Sequence, residues 1–570
     1  MNKERAWRQN SPAAFSCDKR PAIGSNGIIV ANHPLGAAAG AQILAAGGNA
    51  IDAAVASLLT LTVVEPMMVG LIGGGMMHIR TAQGRHVVID GQSQAPSAAT
   101  PDMFESVSDD IVRRLETKGR KNAVGPLSTA TAGNLPAWSK ALEAYGTLSL
   151  ADVIGPAIHY AEHGFRVSPY LSECVSEAAE DLARDPLIAS LFLPDGDPVA
   201  AGTLLRQPAY AETLKLIARD GADALHGGAL GQSVADFMNK NGGILSLADL
   251  REYRPIERLP VSGSYRDVQI IGPPPPASGG VHVIQMLNIL EGYDLAAMGY
   301  GSTDATHLLA EVMKIAFADR DSSTGDPAFI EVPIEQLTSK AYADQRRAQL
   351  SLSLAQSFAA GVVGTSASFR ESPHTTHMTS VDRDGAVVVA THTINSLFGG
   401  RYIIGETGMI ANNYMYLFDP HPGRALSIVP GKRVPTSMAP VIGMRHDVVE
   451  FALGVVGGVR IFPSAMQSIV NLVEHGMSLQ EAVEAPRVWT QGDVLELESG
   501  MAQSVAEELA GRGHAVLPVR HLGGGMNGVR QCKDGEWEGA ACWRADGTAI
   551  ALGGGMARQG VRFWPDQPRK

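Results

Sequence analysis

A turn signal, DRDG at residues 382–385, separates two strand-like runs about two-thirds of the way along this 570-residue chain. An Asp-Gly turn between apolar runs with period-2 alternation is typical of an antiparallel hairpin. Residues Thr375–Val381 and Ala386–Asn395 are therefore predicted to pair. This pairing constrains the fold more than any other short stretch, because it determines which side chains share one face of a sheet.

Two registers fit the predicted hairpin. A loop of two residues would place Thr375 opposite Ile394, and a loop of four residues would place it opposite His392. Either register brings Thr393 beside Thr375, so hydroxyl groups collect at the open end of the hairpin. Spacing alone leaves two interpretations of this cluster open, a solvated strand edge and a functional site.

The chain divides into two regions of different periodicity. Helical segments dominate from about residue 35 to residue 347, whereas short apolar runs with period-2 alternation dominate after residue 374. Helices are predicted to return at Ile461–His475 and Ser478–Ala485. This order predicts a sheet-rich core flanked by helices.

The charge balance argues against nucleic acid as a partner. The chain has 46 basic and 58 acidic residues, a formal charge of −12, and no run of Lys and Arg interleaved with aromatic residues. Its longest apolar stretch, residues 53–64, is shorter than the roughly 20 residues of a membrane span. Residues 1–20 lack the apolar core of a secretion signal. We therefore expect no membrane partner and a cytoplasmic location.

Glycine-rich stretches do not predict a nucleotide site. Three GGGM sequences begin at Gly73, Gly523 and Gly553, but none is followed by the Lys-Ser/Thr pair of a phosphate-binding loop. Tight turns account for them better. We expect neither an organic cofactor nor a metal.

A threonine inside a chain is a weak nucleophile, but an N-terminal threonine can be activated by its own α-amino group. Thr375 would gain this activation if the bond between His374 and Thr375 were cut. Attack of the Thr375 hydroxyl on the preceding carbonyl would move the acyl group from nitrogen to oxygen, and water would release the new N-terminus. Thr375 is therefore a candidate nucleophile for amide bonds.

Acyl transfer also needs hydrogen-bond donors for the oxyanion that develops. Gly457 and Gly458 lie in FALGVVGGVRIF, where a predicted strand ends and a predicted helix begins. Backbone N–H groups and the positive end of the helix dipole could meet at this junction. A plain strand-to-helix turn fits the same segment equally well.

Several longer stretches follow one another along the chain, among them GIIVANHPLGAAAGAQILAAGGNAIDAAVASLL, PPPPASGGVHVIQMLNILEGYDL, EVMKIAFADRD and HTTHMTSVDRDGAVVVATHTINSLFGG. In this order they resemble the γ-glutamyltranspeptidases (glutathione hydrolases). The resemblance implies an N-terminal-nucleophile hydrolase with an α/β fold, a four-layer αββα sandwich. It also implies a proenzyme that cleaves itself into two chains, which remain associated.

The same resemblance implies a division of the chain at residue 374. Residues 1–374 would form a helix-rich large chain, with residues 1–24 as a flexible N-terminal tail. Residues 375–570 would form the small catalytic chain. The two chains would associate as a heterodimer, and a dimer of heterodimers is possible.

The matching motifs imply roles for individual residues. Cleavage would fall between His374 and Thr375. The catalytic residues would be the nucleophile Thr375, its hydrogen-bonding partner Thr393 and the oxyanion-hole glycines Gly457 and Gly458. The pocket would include Asn395, Thr436 and Ser437.

Three positions depart from the family where it binds the glutamyl head group. Family members hold the α-carboxylate with an arginine, and IDGQSQAP places Gln92 at that position. They hold the α-ammonium with a glutamine and an aspartate, and NNYMYLF places Tyr414 and Leu417 there. Charge-assisted hydrogen bonds contribute about 1.5–3 kcal/mol each, so γ-glutamyl recognition should weaken. Arg401 could supply a relocated carboxylate contact, or it could lie on an exposed loop.

We therefore expect an amide hydrolase or acyltransferase that acts through a Thr375 acyl-enzyme. Its substrate would be a small-molecule amide whose acyl group bears a carboxylate, similar to substrates of cephalosporin acylases or oxamate amidohydrolases. One alternative is a true γ-glutamyl hydrolase or transpeptidase acting on glutathione, and another is a non-enzymatic scaffold with a decayed pocket. A metallohydrolase built on His374, His377 and His392 is the third, although no carboxylate lies near them at ligand spacing.

Overall fold

The computed structural model describes residues 7–108, 115–362 and 373–555. Its strands in these ranges are β1 Ala22–Gly24, β2 Gly27–Ala31, β3 Gly74–Arg80, β4 His86–Asp90, β5 Phe165–Arg166, β6 Leu204–Leu205, β7 Ile256–Arg258, β8 Val261–Tyr265, β9 Val268–Gly272, β10 Thr376–Asp382, β11 Val387–Thr393, β12 Val441–Arg445, β13 Val448–Val455, β14 Val488–Trp489, β15 Val494–Glu498, β16 Ala515–Val519, β17 Met526–Gln531, β18 Trp537–Ala541 and β19 Thr548–Ala551.

The α-helices in the same ranges are α1 Pro34–Ala45, α2 Ala50–Val64, α3 Asn134–Tyr145, α4 Leu150–Val153, α5 Gly155–His163, α6 Pro169–Leu182, α7 Pro186–Phe192, α8 Pro208–Asp220, α9 Ala229–Lys240, α10 Leu247–Glu252, α11 Gly279–Leu290, α12 Leu295–Met298, α13 Thr303–Ser323, α14 Ile334–Thr338, α15 Lys340–Arg347, α16 Ile461–Val473, α17 Leu479–Glu484 and α18 Gln503–Gly511. Helices α16 and α17 occupy the two segments predicted after the strands. None of the helices described combines the length and apolarity needed to cross a membrane.

Two seven-stranded sheets lie at the centre of the molecule. The first sheet has the order β19-β2-β10-β11-β3-β4-β7, and the second has the order β1-β18-β17-β13-β12-β9-β8. Neighbouring strands in both sheets are antiparallel. Antiparallel strands alternate the faces of their side chains, so each sheet has one face toward the other sheet and one toward helices.

Apolar side chains divide the molecule into four layers. Helices α1 and α2 pack on the outer face of the first sheet, where Val55 and Met378 belong to one buried cluster. Helices α11, α13 and α16 pack on the outer face of the second sheet. Between the sheets, Val30 and Val381 of the first belong to one cluster with Ile442 of the second. This is the αββα order that the resemblance implies.

Both sheets combine strands from each side of residue 374. In the first sheet β2, β3, β4 and β7 precede this residue, and β10, β11 and β19 follow it. In the second sheet β1, β8 and β9 precede it, and β12, β13, β17 and β18 follow it. The predicted large and small chains are therefore not separate lobes, because each contributes strands to both sheets.

The predicted hairpin forms, but both predicted registers are wrong by one residue. Strand β10 pairs with β11 in the register that sets Thr376 opposite His392. The loop has three residues, 383–385, and it ends on a glycine with φ +83°. A left-handed glycine closes a three-residue hairpin loop without steric conflict. The next step of this register sets Thr375 across from Thr393, so the predicted proximity of the two threonines holds.

Residues 7–24 pack against the rest of the protein, contrary to the flexible tail predicted for residues 1–24. Trp7 is only 5% exposed. Its ring stacks on Phe15 with 5.3 Å between centroids and meets Tyr300 edge-on at 5.5 Å. Strand β1 then pairs with β18. Burial of aromatic rings anchors a segment whose composition is mostly polar; the residues before Trp7 lie outside the described ranges.

Helix α2 ends directly behind the hairpin. Asn49 and Asp52 form a capping box at its start, and every residue of the helix is buried. Glu65 follows the helix, and the Thr376 hydroxyl donates to Glu65 Oε2 at 2.5 Å. Burial raises the pKa of Glu65 to about 8, while the hydrogen bond from Thr376 acts in the opposite direction. A buried carboxyl group thus joins α2 to the first residue of β10.

Replacing Glu65 by Gln should change how stability depends on pH. The Glu65 pKa is about 8 in the folded protein against an ordinary value of 4.5, so the stability linked to its proton is complete below about pH 4.5 and declines as the pH rises toward 8. At about 1.4 kcal/mol per pKa unit, the loss is on the order of 5 kcal/mol. Thermal unfolding midpoints between about pH 5 and pH 8 should fall less in Glu65→Gln than in the wild type.

Glu143→Gln is a matched control for this experiment. Glu143 lies on α3 and is exposed, so its replacement should leave the pH dependence of the wild type intact. If Glu65→Gln showed the same decline with pH as the wild type and Glu143→Gln, a raised pKa at Glu65 would be contradicted.

Candidate active site

Two hydroxyl groups meet at one carbonyl oxygen immediately before β10. Thr375 Oγ1 donates to the carbonyl oxygen of His374 at 2.6 Å, and Thr393 Oγ1 donates to the same oxygen at 2.7 Å. This carbonyl belongs to the peptide bond between His374 and Thr375. The hydroxyl that would attack the bond therefore lies beside its carbonyl group, and a second hydroxyl polarises that group.

A narrow cavity, which we call the inner cavity, surrounds this carbonyl group. Thr375 and Thr393 are each only 4% exposed, so bulk water has little access to them in the uncut chain. Eight predicted site residues contribute to the walls, whereas Gln92, Ser437, Gly457 and Arg401 lie outside the lining. The lining residues are His374, Thr375, Thr393, Asn395, Tyr414, Leu417, Thr436, Met438, Gly458 and Ile461.

Asn395 orients the hydroxyl of Thr393. The Asn395 backbone N–H donates to Thr393 Oγ1 at 2.9 Å, so that oxygen accepts one hydrogen bond while its proton points to His374. The side chain of Asn395 donates to Asn413 Oδ1 at 2.9 Å, and Asn413 in turn donates to Ser396 Oγ at 2.8 Å. Sequence reasoning did not assign Asn413 to the site. The stretch NNYMYLF, which contains it, was used only to locate Tyr414 and Leu417.

Gly457 and Gly458 lie between β13 and α16, at the predicted strand-to-helix junction. Their φ angles are +139° and +57°, a region that glycine adopts at little cost. A Cβ atom on Gly457 would come within 3.1 Å of Gly523 Cα. Gly458 lines the inner cavity before the N-terminus of α16, where helix N–H groups favour negative charge. The oxyanion-hole role stays a prediction, and this location agrees with it.

The proline-rich segment GPPPPASGG supports Thr436 and Ser437. Thr436 pairs with Ala277 in a parallel bridge, and its carbonyl oxygen accepts the Ser278 N–H at 2.7 Å. Arg320, buried on α13, donates to Ser437 Oγ at 2.8 Å and to Ser278 Oγ at 3.0 Å. Thr436 thus lines the inner cavity, whereas Ser437 faces Arg320. Sequence reasoning missed Arg320, because α13 carries several charged residues and nothing in their spacing distinguishes this one.

The three positions that the resemblance links to head-group binding carry no charge. Gln92 Nε2 lies 3.3 Å from Met438 Sδ, and Gln92 Oε1 is buried without a hydrogen-bond partner among the described residues. The Tyr414 hydroxyl donates to the Gly74 carbonyl at 3.1 Å. Leu417 belongs to a buried apolar cluster. The inner cavity therefore offers no ion-pair partner for an α-amino-acid head group at these positions.

A larger pocket of about 510 Å³, which we call the outer pocket, adjoins the inner cavity. Arg401 lies here with its side chain 19% exposed, so the interpretation of Arg401 as an exposed loop residue is wrong. The lining residues are Glu116, Thr117, Arg120, Asn122, Ala123, Pro373, Ser396, Arg401, Asn413 and Tyr416.

His374, His377 and His392 do not form a metal site. His377 Nδ1 contacts Thr391 Oγ1 at 2.8 Å, whereas His392 Nδ1 contacts Asn134 Oδ1 at 2.8 Å on the other face of the sheet. Burial lowers the pKa of His374 to about 4 and the pKa values of His377 and His392 to about 3. The rings are therefore neutral near pH 7, and the two on the strands face different partners.

One histidine and glutamate group in the described residues could hold a metal ion. Nitrogen and oxygen atoms of His307, Glu311 and His514 lie within 4.8 Å of one another. However, His307 Nδ1 is 2.8 Å from His514 Nε2, and Lys314 Nζ donates to Glu311 Oε1 at 2.7 Å. Lys314 already compensates the Glu311 charge, and none of these residues lines the inner cavity or the outer pocket.

Comparisons with known proteins bear on the family and the fold. The family model of the gamma-glutamyltranspeptidases matches residues 36–552. Among solved structures, cephalosporin acylase from Bacillus halodurans superposes with a TM-score of 0.85 at 28% identity, covering 96% of this chain and 99% of that chain. The likeness confirms the predicted αββα class of N-terminal-nucleophile hydrolases.

Two curated relatives are similar along nearly their whole length. The chain is 58% identical over 551 residues to the acylase ACY 1 proenzyme of a Pseudomonas species, covering 97% of this chain and 98% of that one. It is 35% identical over 538 residues to the glutathione hydrolase proenzyme of Escherichia coli, covering 91% of each. With these two relatives and the family match, the predicted enzyme class is confirmed, and the chain belongs to the gamma-glutamyltranspeptidase family.

Proposed function

We propose that this protein is an autoprocessing amide hydrolase with Thr375 as its nucleophile. The observation that carries the proposal is the convergence of the Thr375 and Thr393 hydroxyls on the His374 carbonyl oxygen. A scaffold without activity would not require the buried hydroxyls of Thr375 and Thr393 together with the glycine junction at Gly457 and Gly458. The non-enzymatic alternative is therefore the weaker one.

In the processing step, Thr375 Oγ1 attacks the His374 carbonyl carbon. The bond from that carbon to the Thr375 nitrogen breaks, an ester to Oγ1 forms, and the nitrogen leaves as an amine after taking up a proton. Water then hydrolyses the ester, which leaves a carboxylate on His374 and a free α-amino group on Thr375. Thr393 stabilises the oxyanion of the first step by its hydrogen bond.

In the turnover step, the free amine of Thr375 accepts the proton of its own hydroxyl. The oxygen attacks the substrate amide, the amine product leaves with that proton, and an acyl ester on Thr375 remains. Water hydrolyses the ester, or an acceptor amine takes the acyl group. We assign the backbone N–H groups of Gly457 and Gly458 to the oxyanion of the turnover step, since Gly458 lines the inner cavity just before α16 and Gly457 precedes it.

We propose a heterodimer as the processed form. Cleavage after residue 374 would divide both sheets between the two chains, and the apolar layer between the sheets would remain buried. Such a shared core favours continued association over separation. Light scattering of the processed protein would distinguish a single heterodimer from a dimer of heterodimers.

For the substrate, we propose an amide whose acyl group carries a carboxylate but lacks the α-ammonium of a glutamyl group. Leu417 and Tyr414 give that ammonium no anionic partner, and burying an unpaired charge is costly. The relative that is 58% identical is named an acylase, and the solved structure with a TM-score of 0.85 is named a cephalosporin acylase. Hydrolysis of glutathione is the second candidate, favoured by the 35% identical glutathione hydrolase.

Thr375→Ala should leave the chain uncut and inactive, because the variant lacks the attacking oxygen. On a denaturing gel it should remain a single band at 60.0 kDa, whereas the wild type should give two bands. Hydrolysis of acyl amides should fall by about 10³-fold or more. N-terminal sequencing of the smaller wild-type band should begin at Thr375.

Thr376→Ser is the matched control, because it alters the neighbouring threonine but keeps the hydroxyl that donates to Glu65. This variant should process like the wild type. An uncut wild type with full activity, or a Thr375→Ala variant that matures, would refute the mechanism.

Thr393→Val should slow processing, because it removes the hydrogen bond to the scissile carbonyl while it retains the shape of the side chain. Loss of one oxyanion donor typically reduces a rate by about 10²–10³-fold. The decay of the full-length band after cell-free synthesis measures this rate. Thr393→Ser should restore most of it, and equal rates for Thr393→Val and the wild type would exclude a role for the hydroxyl.

Acyl p-nitroanilides should separate the two substrate candidates. We expect kcat/KM for glutaryl-p-nitroanilide to exceed that for γ-glutamyl-p-nitroanilide by about 10²–10⁴-fold, since only the γ-glutamyl compound would bury an α-ammonium group that has no anionic partner at Tyr414 and Leu417. Both compounds have the same leaving group and chain length, so each serves as the control for the other. Efficient turnover of the γ-glutamyl compound, or of glutathione, would favour the second candidate.

A further inference from the structure

The outer pocket and the inner cavity are consecutive along three loops. Pro373, Ser396 and Asn413 line the outer pocket, and each is followed or preceded directly by a residue that lines the inner cavity. The wall between them contains the hydrogen bonds that join Asn395, Asn413 and Ser396. The outer pocket therefore lies directly behind this wall of the inner cavity, within one residue of it on each of the three loops.

Two arginines of the outer pocket share one buried carboxylate. Arg120 donates to both oxygens of Asp181, at 3.0 and 2.9 Å. Arg401 also forms an ion pair with Asp181, whose side chain is only 5% exposed. Guanidinium groups bind carboxylates through paired donors, and one carboxylate cannot satisfy two such groups. A second carboxylate would complete the arrangement.

Arg401 retains an unused donor. Its Nε atom is buried and has no hydrogen-bond partner among the described residues. A buried guanidinium N–H without an acceptor is unfavourable, so such groups in native proteins call for an explanation. Burial lowers the pKa of Arg401, the nearby charge of Arg120 lowers it further, and the charge of Glu177 acts in the opposite direction. An anion in the outer pocket would offset the two unfavourable effects.

Both arginines also adopt a backbone conformation that is uncommon for residues with side chains. Arg120 has φ +54° and Arg401 has φ +63°. Left-handed residues other than glycine tend to occur at binding sites, where the surrounding structure maintains the strain.

We propose that Arg120 and Arg401 bind the carboxylate at the far end of the substrate's acyl group. The proposal rests on the proposed function and specifies how that site recognises its substrate class. The two arginines of the outer pocket would take over the role that a single arginine, at the position of Gln92, has in the family. Glu116 also lines the described part of this pocket, and together with Asp181 it balances the two arginines in number, so recognition would depend on the guanidinium donors and not on a net positive charge.

The test compares dicarboxylic acyl p-nitroanilides (succinyl, glutaryl and adipyl) with pentanoyl-p-nitroanilide, which lacks the distal carboxylate. The measured quantity is the ratio of kcat/KM for the best dicarboxylic compound to that for the pentanoyl compound. In Arg401→Gln and in Arg120→Gln this ratio should fall by about 10- to 100-fold, mainly through KM, as loss of a charge-assisted contact predicts. Arg401→Lys should give an intermediate ratio, since it keeps the charge but not the fork.

Arg184→Gln is the matched control. Arg184 lies 3.3 Å from Asp181 but does not line the outer pocket, so its replacement should retain the wild-type ratio. Should Arg401→Gln fail to process, Arg120→Gln still decides the question, because the Arg120 side chain is half exposed. A wild-type ratio in both glutamine variants, with normal processing, would overturn the proposal.

A binding measurement separates this proposal from the proposed function. Calorimetry with glutarate on the processed wild type should give a dissociation constant that rises about 10-fold or more in Arg120→Gln. Binding of glutarate without hydrolysis of any amide would retain the carboxylate site and refute the proposed function. Hydrolysis of all the amides without binding of glutarate, and with no preference for a distal carboxylate, would refute the carboxylate site and retain the proposed function.

Discussion

The antiparallel pairing of β10 in the middle of the first sheet is the interaction on which the site depends. β10 lies between β2 and β11, so its backbone is hydrogen-bonded on both sides. Thr375 precedes the first paired residue, and Thr393 is the last residue of the neighbouring strand. The backbone ladder therefore sets the separation of the two hydroxyls, and no long side chain has to be ordered for them to meet.

Polar contacts between the two sheets also help to position the Gly457–Gly458 junction relative to the two threonines. Thr379 donates to Asn527 Oδ1 at 3.2 Å, and Asn527 Nδ2 donates to the His377 carbonyl at 3.0 Å. A Cβ atom on Gly454 would lie 2.1 Å from the His377 ring, so this close approach requires glycine. Gly457 comes just after the end of β13, the strand that contains Gly454. The packing of the two sheets therefore sets the position of this glycine relative to Thr375.

The features that follow from local chemistry could be read from the sequence. The hairpin, the helices α16 and α17, and the junction at Gly457 depend on turn residues, caps and periodicity within a few positions. The register was missed because DRDG fits loops of several lengths, and only the left-handed glycine at position 385 selects three residues. The packing of Trp7 was missed because its partner ring, Tyr300, is distant in the chain.

Side-chain environments that need tertiary contacts were beyond sequence reasoning. Arg120 and Asp181 are 61 positions apart, and no spacing rule joins a loop to a helix over such a distance. Gln92 was expected in the pocket by motif position, yet its amide lies against Met438 in the structure. The raised pKa of Glu65 depends on burial of the carboxyl group from every side. The sequence shows only an acidic residue after an apolar helix, which indicates this burial in part.

Strands from both sides of residue 374 occupy both sheets, and this has a consequence for recovery after denaturation. In the uncut chain the two halves associate within one molecule, at a high effective concentration. If the bond before Thr375 is cut, the association becomes intermolecular and depends on protein concentration. The covalent link thus favours folding of the precursor, and a processed enzyme would persist through slow unfolding and would not rely on its ability to refold.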